Sequence, residues 1–455
     1  MTHAARSGSR SPRSRIVIFA AAIALAAGLT LRIGTAPVAA AGVAFDPPTA
    51  TAMLLQPLVF RDTFTSAVRP ARVELLVTAP FVAGTTVEEV KPFAAPGGAW
   101  QVSVSQPDTG SVNTVYRFAV RVTLPDGTVA ESPTGTATVV DRRFAWQTLS
   151  GRTVTLHWYG YTRGQAQGWL NAAEAAVTRA SAAIGLAVVP HVDFFAYSAS
   201  QPFFDAVGGG ANADAAGVYI LDTHTAFGTI LPSDVSSTWP DEEIAHEITH
   251  HVFEVATNNP YHAPPLWLDE GCAVYYSEGV GPRNADLRQG IAAGMIVPLD
   301  GLTDAFPSTT DPFVLSYAEA VSAVGYFLRT YGQPALRTLL AAYARGSTDD
   351  EAFQAATHTS AAAFEAAWLS SIGATSPAAY GPRPAPPGPV PPGWPAVPSA
   401  APVSGIALAG LGAAIAALRR RRPRIRRPLT LRGEPHGGPA NDAAPTAGET
   451  TGETG

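Results

Sequence analysis

The feature that most constrains the fold of this chain is a pair of histidines four residues apart within Asp241–Ala256, a stretch whose pattern predicts a helix. Residues four apart lie one above the other on the same helical face. The sequence His246-Glu247-Ile248-Thr249-His250 therefore directs both imidazoles the same way. Two imidazoles so placed can bind one zinc ion at about 2.0–2.1 Å. Glu247 lies about 100° further round the helix, where its carboxylate can accept a proton from a zinc-bound water.

A catalytic zinc site takes a third protein ligand and leaves the fourth position to water. A histidine six residues after His250 would serve, but that residue is Ala256. Glu254 shares the face of His250, yet it lies about 12 Å along a straight helix from His246. Glu270 lies in a separate helical pattern that can return antiparallel. We therefore predict His246, His250 and Glu270 as metal ligands and Glu247 as the catalytic base.

The surroundings of Glu270 carry a family resemblance. The segment Trp267-Leu268-Asp269-Glu270-Gly271 follows His250, with 19 residues between His250 and Glu270. Together with the histidine motif it resembles the gluzincins, in particular the peptidase MA-like families related to aminopeptidase N, over about residues 145–373. The resemblance implies a zinc metallopeptidase. It also implies an oxyanion-stabilising role for Tyr317, because Tyr317-Ala318-Glu319-Ala320 resembles the clan's Tyr-Glu-x-Gly segment with its Glu displaced by one position.

The sequence departs from the aminopeptidases of this clan, which bind the substrate's free amine with a Gly-x-Met-Glu-Asn segment. The three methionines, Met1, Met53 and Met295, lie in no such segment. We therefore expect an endopeptidase that acts on peptides or proteins. Two alternatives stay open, namely a catalytically inactive zincin-fold binding protein of the cell surface and a metalloenzyme acting on something other than peptides.

Four nearby residues have competing interpretations. Asp269 can orient a ligand histidine or cap its own helix. Cys272 follows Glu270 by two residues and is a candidate nucleophile or ligand, although a free cysteine is more often a small buried hydrophobe. As the only cysteine, it forms no internal disulfide. His251 and His262 are more typical of structural or surface positions than of ligands.

The body of the chain divides at about residue 144. Residues 42–144 show short alternating apolar stretches separated by turn signals such as Pro125-Asp126-Gly127, which predict an all-β, Ig-like sandwich. Residues 145–380 show strands first and helices afterwards, which predict an α+β zincin-like catalytic domain. The strand-like stretch Gly217–Leu221 precedes the histidine helix and is the candidate sheet edge for pairing with a substrate.

Charge is distributed unevenly along the chain. Residues 42–418 carry 17 basic and 32 acidic side chains, a net charge of −15. This acidic body argues against nucleic-acid binding, which needs clustered positive charge. The basic residues concentrate instead at the two ends, beside apolar stretches.

Both ends are typical of membrane-targeting segments. Residues 1–41 place arginines before the apolar run Ile16–Leu31 and end in three alanines, which predicts a signal peptide or, alternatively, an uncleaved anchor. A proline-rich linker, 381–402, precedes the apolar stretch 403–418 and a basic, then disordered tail, 419–455. We predict a transmembrane helix over 403–418, or a cleaved sorting signal. Arginines stay cytoplasmic, so we expect an exported protein with its catalytic domain outside the cell membrane.

Overall fold

The computed structural model describes residues 42–375, apart from 83, 108–109, 209–214, 262 and 308. The predicted signal peptide (1–41), proline-rich linker (381–402), transmembrane helix (403–418) and cytoplasmic tail (419–455) lie outside the described residues. Within the described part of the chain, no helix is both long and apolar enough to cross a membrane.

The described residues form strands first and helices mainly afterwards. The strands are β1 (Val43–Phe45), β2 (Thr49–Thr51), β3 (Leu58–Ser66), β4 (Arg72–Thr78), β5 (Thr86–Glu89), β6 (Phe93–Ala94), β7 (Ala99–Gln106), β8 (Val115–Thr123), β9 (Val129–Glu131), β10 (Gly135–Thr138), β11 (Gln147–Ser150), β12 (Val154–Trp158), β13 (Val192–Tyr197), β14 (Gly217–Ile220) and β15 (Thr225–Thr229). The α-helices are α1 (Arg163–Ile184), α2 (Ser200–Val207), α3 (Trp239–Thr257), α4 (Leu266–Ser277), α5 (Asn284–Ala293), α6 (Thr310–Ala344), α7 (Asp349–Thr357) and α8 (Ala361–Ser371).

Strands β1 to β10 form two antiparallel sheets that pack face to face. One sheet has the order β1-β3-β7-β6, with β2 also paired to β3, and the other has the order β10-β8-β4-β5, with β9 also paired to β8. Between them, the ring centroids of Phe60 and Phe118 lie 4.8 Å apart, and Phe64, Leu75 and Val102 are buried beside them. The predicted all-β region is therefore present as two packed sheets, and its Ig-like class stays a prediction.

A third sheet, with the order β11-β12-β13-β15-β14, begins the second half. Strands β12, β13 and β15 are parallel, and β11 and β14 are antiparallel to their neighbours at the two edges. One face packs against α1 and α3 through a core that includes Trp158 and Ile248. The other face shares a core with the β-sandwich through Tyr197 and Phe227. The predicted strand Gly217–Leu221 is thus an edge strand, one residue shorter than expected.

Helix α3 runs beneath this sheet and carries the histidine motif. Pro240 stands in its first turn, where the missing N–H breaks no helical hydrogen bond. Asp241 and Glu242 follow, and acidic side chains there favour the positive end of the helix dipole. The helix continues to Thr257, so it contains the whole predicted span Asp241–Ala256 and extends beyond it at both ends.

Helices α4 and α6 pack closely beside α3. A Cβ atom on Gly271 would lie 2.5 Å from the carbonyl oxygen of Ala320, so only glycine allows α6 to approach α4 this closely. The sequence predicts two helices, Tyr317–Thr330 and Gln333–Ala344, but α6 begins at Thr310 and includes both, with a break at Gly332. The sequence prediction begins at Tyr317 because it follows the apolar pattern. The typical helix-start residues Asp311 and Pro312 lie before that pattern.

Candidate metal centre

The metal-binding residues predicted from sequence converge at one buried point. The Nε2 atoms of His246 and His250 lie 3.0 Å apart. Glu270 Oε2, from α4, lies 3.3 Å from each of them. All three side chains are fully buried. Ligands held tetrahedrally at about 2.0–2.1 Å from an ion lie about 3.3–3.4 Å apart, so this triangle of donors fits a single zinc ion.

Asp269 fixes the orientation of His250. The His250 Nδ1–H donates a hydrogen bond of 2.9 Å to Asp269 Oδ1, and both side chains are buried. This bond leaves the lone pair on Nε2 directed at the metal position. Of the two interpretations of Asp269, the structure therefore supports orientation of a ligand histidine. Cap geometry does not support the other, because Pro265 stands at the N-cap of α4.

The two imidazoles respond oppositely to this environment. Burial lowers the pKa of His246 to about 4. Burial also acts to lower the pKa of His250, but the adjacent carboxylates of Asp269 and Glu270 outweigh it and raise that pKa well above its usual value. The buried carboxylates of Asp269 and Glu270 therefore favour positive charge at the centre, which a divalent cation would supply.

Glu247 lies beside the donor triangle, as its helical position predicts. Ligand-capable atoms of His246, Glu247 and His250 all lie within 4.8 Å of one another. Neither carboxylate oxygen of Glu247 has a hydrogen-bond partner among the described residues. Burial raises its pKa well above the usual value, and the nearby carboxylates of Glu243 and Glu270 raise it further, against the effect of His250. A carboxylate with a raised pKa is suited to accept a proton near neutral pH.

Tyr317 also lies at the centre, although it projects from the interior of α6. Its ring centroid is 6.4 Å from that of His246, and its ring packs between Phe306 and Phe313. Burial raises its pKa well above the usual value, and the carboxylates of Glu270 and Glu247 add to this effect. Tyr317 is therefore a neutral phenol at physiological pH and can act as a hydrogen-bond donor.

The competing candidates lie elsewhere. Both ring nitrogens of His251 are engaged, Nδ1 with the Tyr219 hydroxyl at 2.9 Å and Nε2 with the Pro190 carbonyl at 3.0 Å. Cys272 belongs to the hydrophobic core of the helices, and burial raises its thiol pKa well above the usual value. A neutral buried thiol is a poor nucleophile and ligand. His262 lies outside the described residues.

Two charged residues near the centre were not singled out from the sequence. In the sequence, Glu243 appears only as an acid in the first turn of a predicted helix, yet in the structure it is fully buried. Arg283 is also buried, with its guanidinium carbon 6.0 Å from the ring centroid of Tyr317. It donates hydrogen bonds of 3.2 and 2.9 Å to the carboxylate of Glu278. Helical spacing identifies Glu243 as a neighbour of Glu247, whereas nothing in the sequence pairs Arg283 with Tyr317.

A family match accompanies this geometry. Residues 172–374 match the Peptidase MA superfamily, which confirms the resemblance identified from the histidine motif and Glu270. Two imidazoles and a carboxylate are a donor set that zinc takes in catalytic sites, and zinc is the cofactor that the superfamily match indicates. No curated protein sequence matches the chain at a significant level.

Solved structures show weaker likenesses. An M1 zinc metallopeptidase from Deinococcus radiodurans is 12% identical, with a TM-score of 0.33, covering 77% of this chain and 97% of that one. An aminopeptidase N family protein from Idiomarina loihiensis is 10% identical, with a TM-score of 0.24, covering 56% of this chain and 55% of that one. A cycloalternan-degrading enzyme from Trueperella pyogenes has a TM-score of 0.17 at 13% identity, and the match covers 25% of this chain and 19% of that enzyme. Scores this low do not establish a shared fold.

Proposed function

We propose that this chain, whose residues 172–374 match the Peptidase MA superfamily, is a zinc-dependent endopeptidase. The observation that carries the proposal is the triangle formed by His246 Nε2, His250 Nε2 and Glu270 Oε2, with the unpartnered carboxylate of Glu247 beside it. A metal-binding role alone would explain the triangle. It would not explain a buried carboxylate next to it, because an unpaired buried carboxylate is costly.

The residues of the centre have separate roles in the proposed reaction. Bound zinc would supply a Lewis acid that polarises the scissile carbonyl and lowers the pKa of a water molecule to about 7. Glu247 accepts the proton from the attacking water and delivers it to the leaving nitrogen. The Tyr317 hydroxyl donates a hydrogen bond to the developing oxyanion.

Strand β14 is the candidate platform for the substrate. Among the described strands it pairs only with β15, so its other edge offers backbone N–H and C=O groups to an extended peptide. Binding along a backbone edge does not require a chain terminus. Together with the lack of a Gly-x-Met-Glu-Asn segment at any of the three methionines, this favours cleavage within a polypeptide.

We also propose that the catalytic domain acts outside the cell. The proposal rests on the arginine-flanked apolar stretches within 1–41 and 403–427, and on the tendency of arginine clusters to stay cytoplasmic. Fractionation of expressing cells, followed by protease treatment of intact cells, tests the location. Protection of the domain from added protease would contradict it.

Glu247→Gln tests the catalytic proposal directly. The amide is nearly isosteric, so zinc content should equal that of the wild type, while cleavage of a protein substrate such as casein should fall by about 100-fold to 10,000-fold. His246→Ala should lose both zinc and activity. Undiminished proteolysis by Glu247→Gln would contradict the base assignment. Zinc binding without any proteolysis by the wild type would favour the inactive, surface-binding alternative.

A further inference from the structure

A second buried carboxylate lies one helical turn before the base. Glu243 and Glu247 are four residues apart on α3, so they share one face of the helix. Both are fully buried, and none of their four carboxylate oxygens has a hydrogen-bond partner among the described residues. Glu247 has a role in the proposed reaction, whereas Glu243 has none. A buried carboxylate without a partner is costly unless a cation or a proton neutralises its charge.

The two carboxylates meet at the edge strand. A Cβ atom on Gly217 of β14 would clash with Glu243 Oε1 and lie 2.5 Å from Glu247 Oε1. The strand partner of Gly217 is Gly228 of β15, and a Cβ atom there would lie 2.8 Å from the Phe194 ring and 3.7 Å from Glu243 Cγ. Neither member of this pair has a side chain on the α3 side of the sheet. The carboxylates of Glu243 and Glu247 therefore lie directly against the backbone of β14.

A substrate on the free edge of β14 would place a side chain on the face of the sheet where these two carboxylates lie. Residues directly opposite each other on neighbouring antiparallel strands place their side chains on the same face of the sheet. The missing side chain of Gly217 would point at Glu243 and Glu247. A substrate residue opposite Gly217 would consequently point its side chain toward the same two carboxylates.

We propose that Glu243 is a specificity-determining residue that binds the cationic side chain of a lysine or arginine on the substrate residue opposite Gly217. The proposal rests on the peptidase function proposed above and adds the class of residue that the site prefers. A charge-assisted hydrogen bond to the substrate would give Glu243 the partner that the chain does not provide.

The charges around Glu243 support a cation from the substrate. Its pKa is raised first by burial and then by the carboxylate of Glu278, against the effect of His250. Arg283, which follows α4 in the chain, already forms an ion pair with Glu278. A cation bound at Glu243 would offset the like charges of Glu278 and Glu270, which raise its pKa. The net charge of −15 over residues 42–418 also attracts basic peptides.

The experiment compares peptides that differ only in charge at one position. Peptides with an acetylated N-terminus and an amidated C-terminus carry either lysine or the uncharged, similarly shaped norleucine at successive positions around the cleaved bond. The blocked N-terminus removes the α-amine as an alternative cation. We expect the wild type to prefer lysine at one position in kcat/KM, and Glu243→Gln to lower that ratio about tenfold or more.

Matched controls separate charge recognition from structural effects. Glu242→Gln removes a neighbouring charge on the same helix and should leave the lysine-to-norleucine ratio unchanged. Zinc content and circular dichroism of Glu243→Gln show whether the variant keeps its centre and fold. If Glu243 merely fills space as a neutral acid, glutamine replaces it and the ratio does not change, which would overturn the proposal. A lysine preference seen only with free N-termini would overturn it too.

Binding measurements distinguish failure of this proposal from failure of the peptidase function. If the zinc-loaded wild type cleaves neither peptide, the proposed function fails, but calorimetry of the same protein with the same peptides still tests Glu243. Tighter binding of the lysine peptide, lost in Glu243→Gln, would support the site. Equal affinities of the wild type for the two peptides would overturn it.

Discussion

Asp269→Asn should weaken zinc binding while leaving the three metal ligands in place. The Asp269 carboxylate accepts the hydrogen bond from His250 Nδ1 at 2.9 Å, and neither side chain is exposed. An asparagine oxygen can still accept this bond, but it carries no charge to strengthen His250 as a donor. Loss of such supporting carboxylates costs about 10-fold to 100-fold in metal affinity, or roughly 1.4–2.7 kcal/mol.

The size of this loss should depend on pH with a definite sign. A proton competes with zinc for His250, and Asp269 raises the pKa of His250 in the metal-free protein. Asparagine at position 269 therefore lowers the affinity of His250 both for zinc and for the proton. At pH 8 the proton competes less, so the full loss in zinc affinity should be visible. Toward pH 6, protonation of His250 lowers the zinc affinity of the wild type more than that of the variant. The difference in zinc affinity between the two proteins should therefore become smaller.

The assay is a competition titration with a chromophoric zinc chelator at pH 6, 7 and 8. The matched control is Asp304→Asn, which removes the same charge from an exposed loop position and should leave zinc affinity unchanged. Thermal melts at saturating zinc should show a smaller zinc-induced stabilisation for Asp269→Asn than for the wild type. A zinc dissociation constant within twofold of the wild-type value at pH 8 would refute the assigned role of Asp269.

Two further substitutions test neighbouring parts of the centre. Tyr317→Phe should lower kcat about 100-fold to 1,000-fold and leave zinc content unchanged, because phenylalanine fits between Phe306 and Phe313; unchanged kcat would exclude oxyanion stabilisation. Burial raises the pKa of Glu319 to about 8, from a usual value of 4.5, against its hydrogen bond from the Val297 amide. This group's contribution to stability is complete below about pH 4.5 and is lost as pH rises through 8. Glu319→Gln should remove this loss of stability, which is worth up to a few kcal/mol. In urea unfolding, the free energy of unfolding should therefore decline less between pH 5 and pH 8 for the variant than for the wild type. Equal declines would contradict the raised pKa.

Local spacing predicts much of the centre because helices repeat regularly. Four-residue spacing alone places His246 and His250 on one face, and the structure brings their Nε2 atoms to 3.0 Å. The distance of about 12 Å between His246 and Glu254 along a straight helix favours Glu270 on the next helix, and the structure places Glu270 Oε2 3.3 Å from both imidazoles. The strand 217–220 is also recognisable as a short apolar run, and the structure places it at a sheet edge.

Contacts between distant elements could not be predicted in this way. Tyr317 was assigned by resemblance, and its position depends on how closely α6 approaches α4 at Gly271. The orienting role of Asp269 stayed open because a first-turn acid is equally suited to a helix N-terminus. Only the relative placement of α3 and α4, which the shared hydrophobic core determines, decides between the two interpretations.

Glu243 illustrates why a sequence pattern can place a side chain without revealing its role. Its spacing from Glu247 puts it on the same face of α3 as Glu247, but the same spacing fits an exposed acid near a helix start. Its proposed role depends on the pairing of Gly217 with Gly228, because a register shifted by one residue would turn a side chain toward α3 where these carboxylates now lie. Strand register is a long-range property, and the apolar pattern of a four-residue strand does not encode it. The proposed specificity of Glu243 therefore depends on Gly217 and Gly228, and only the assembled sheet shows that these two glycines lie over α3.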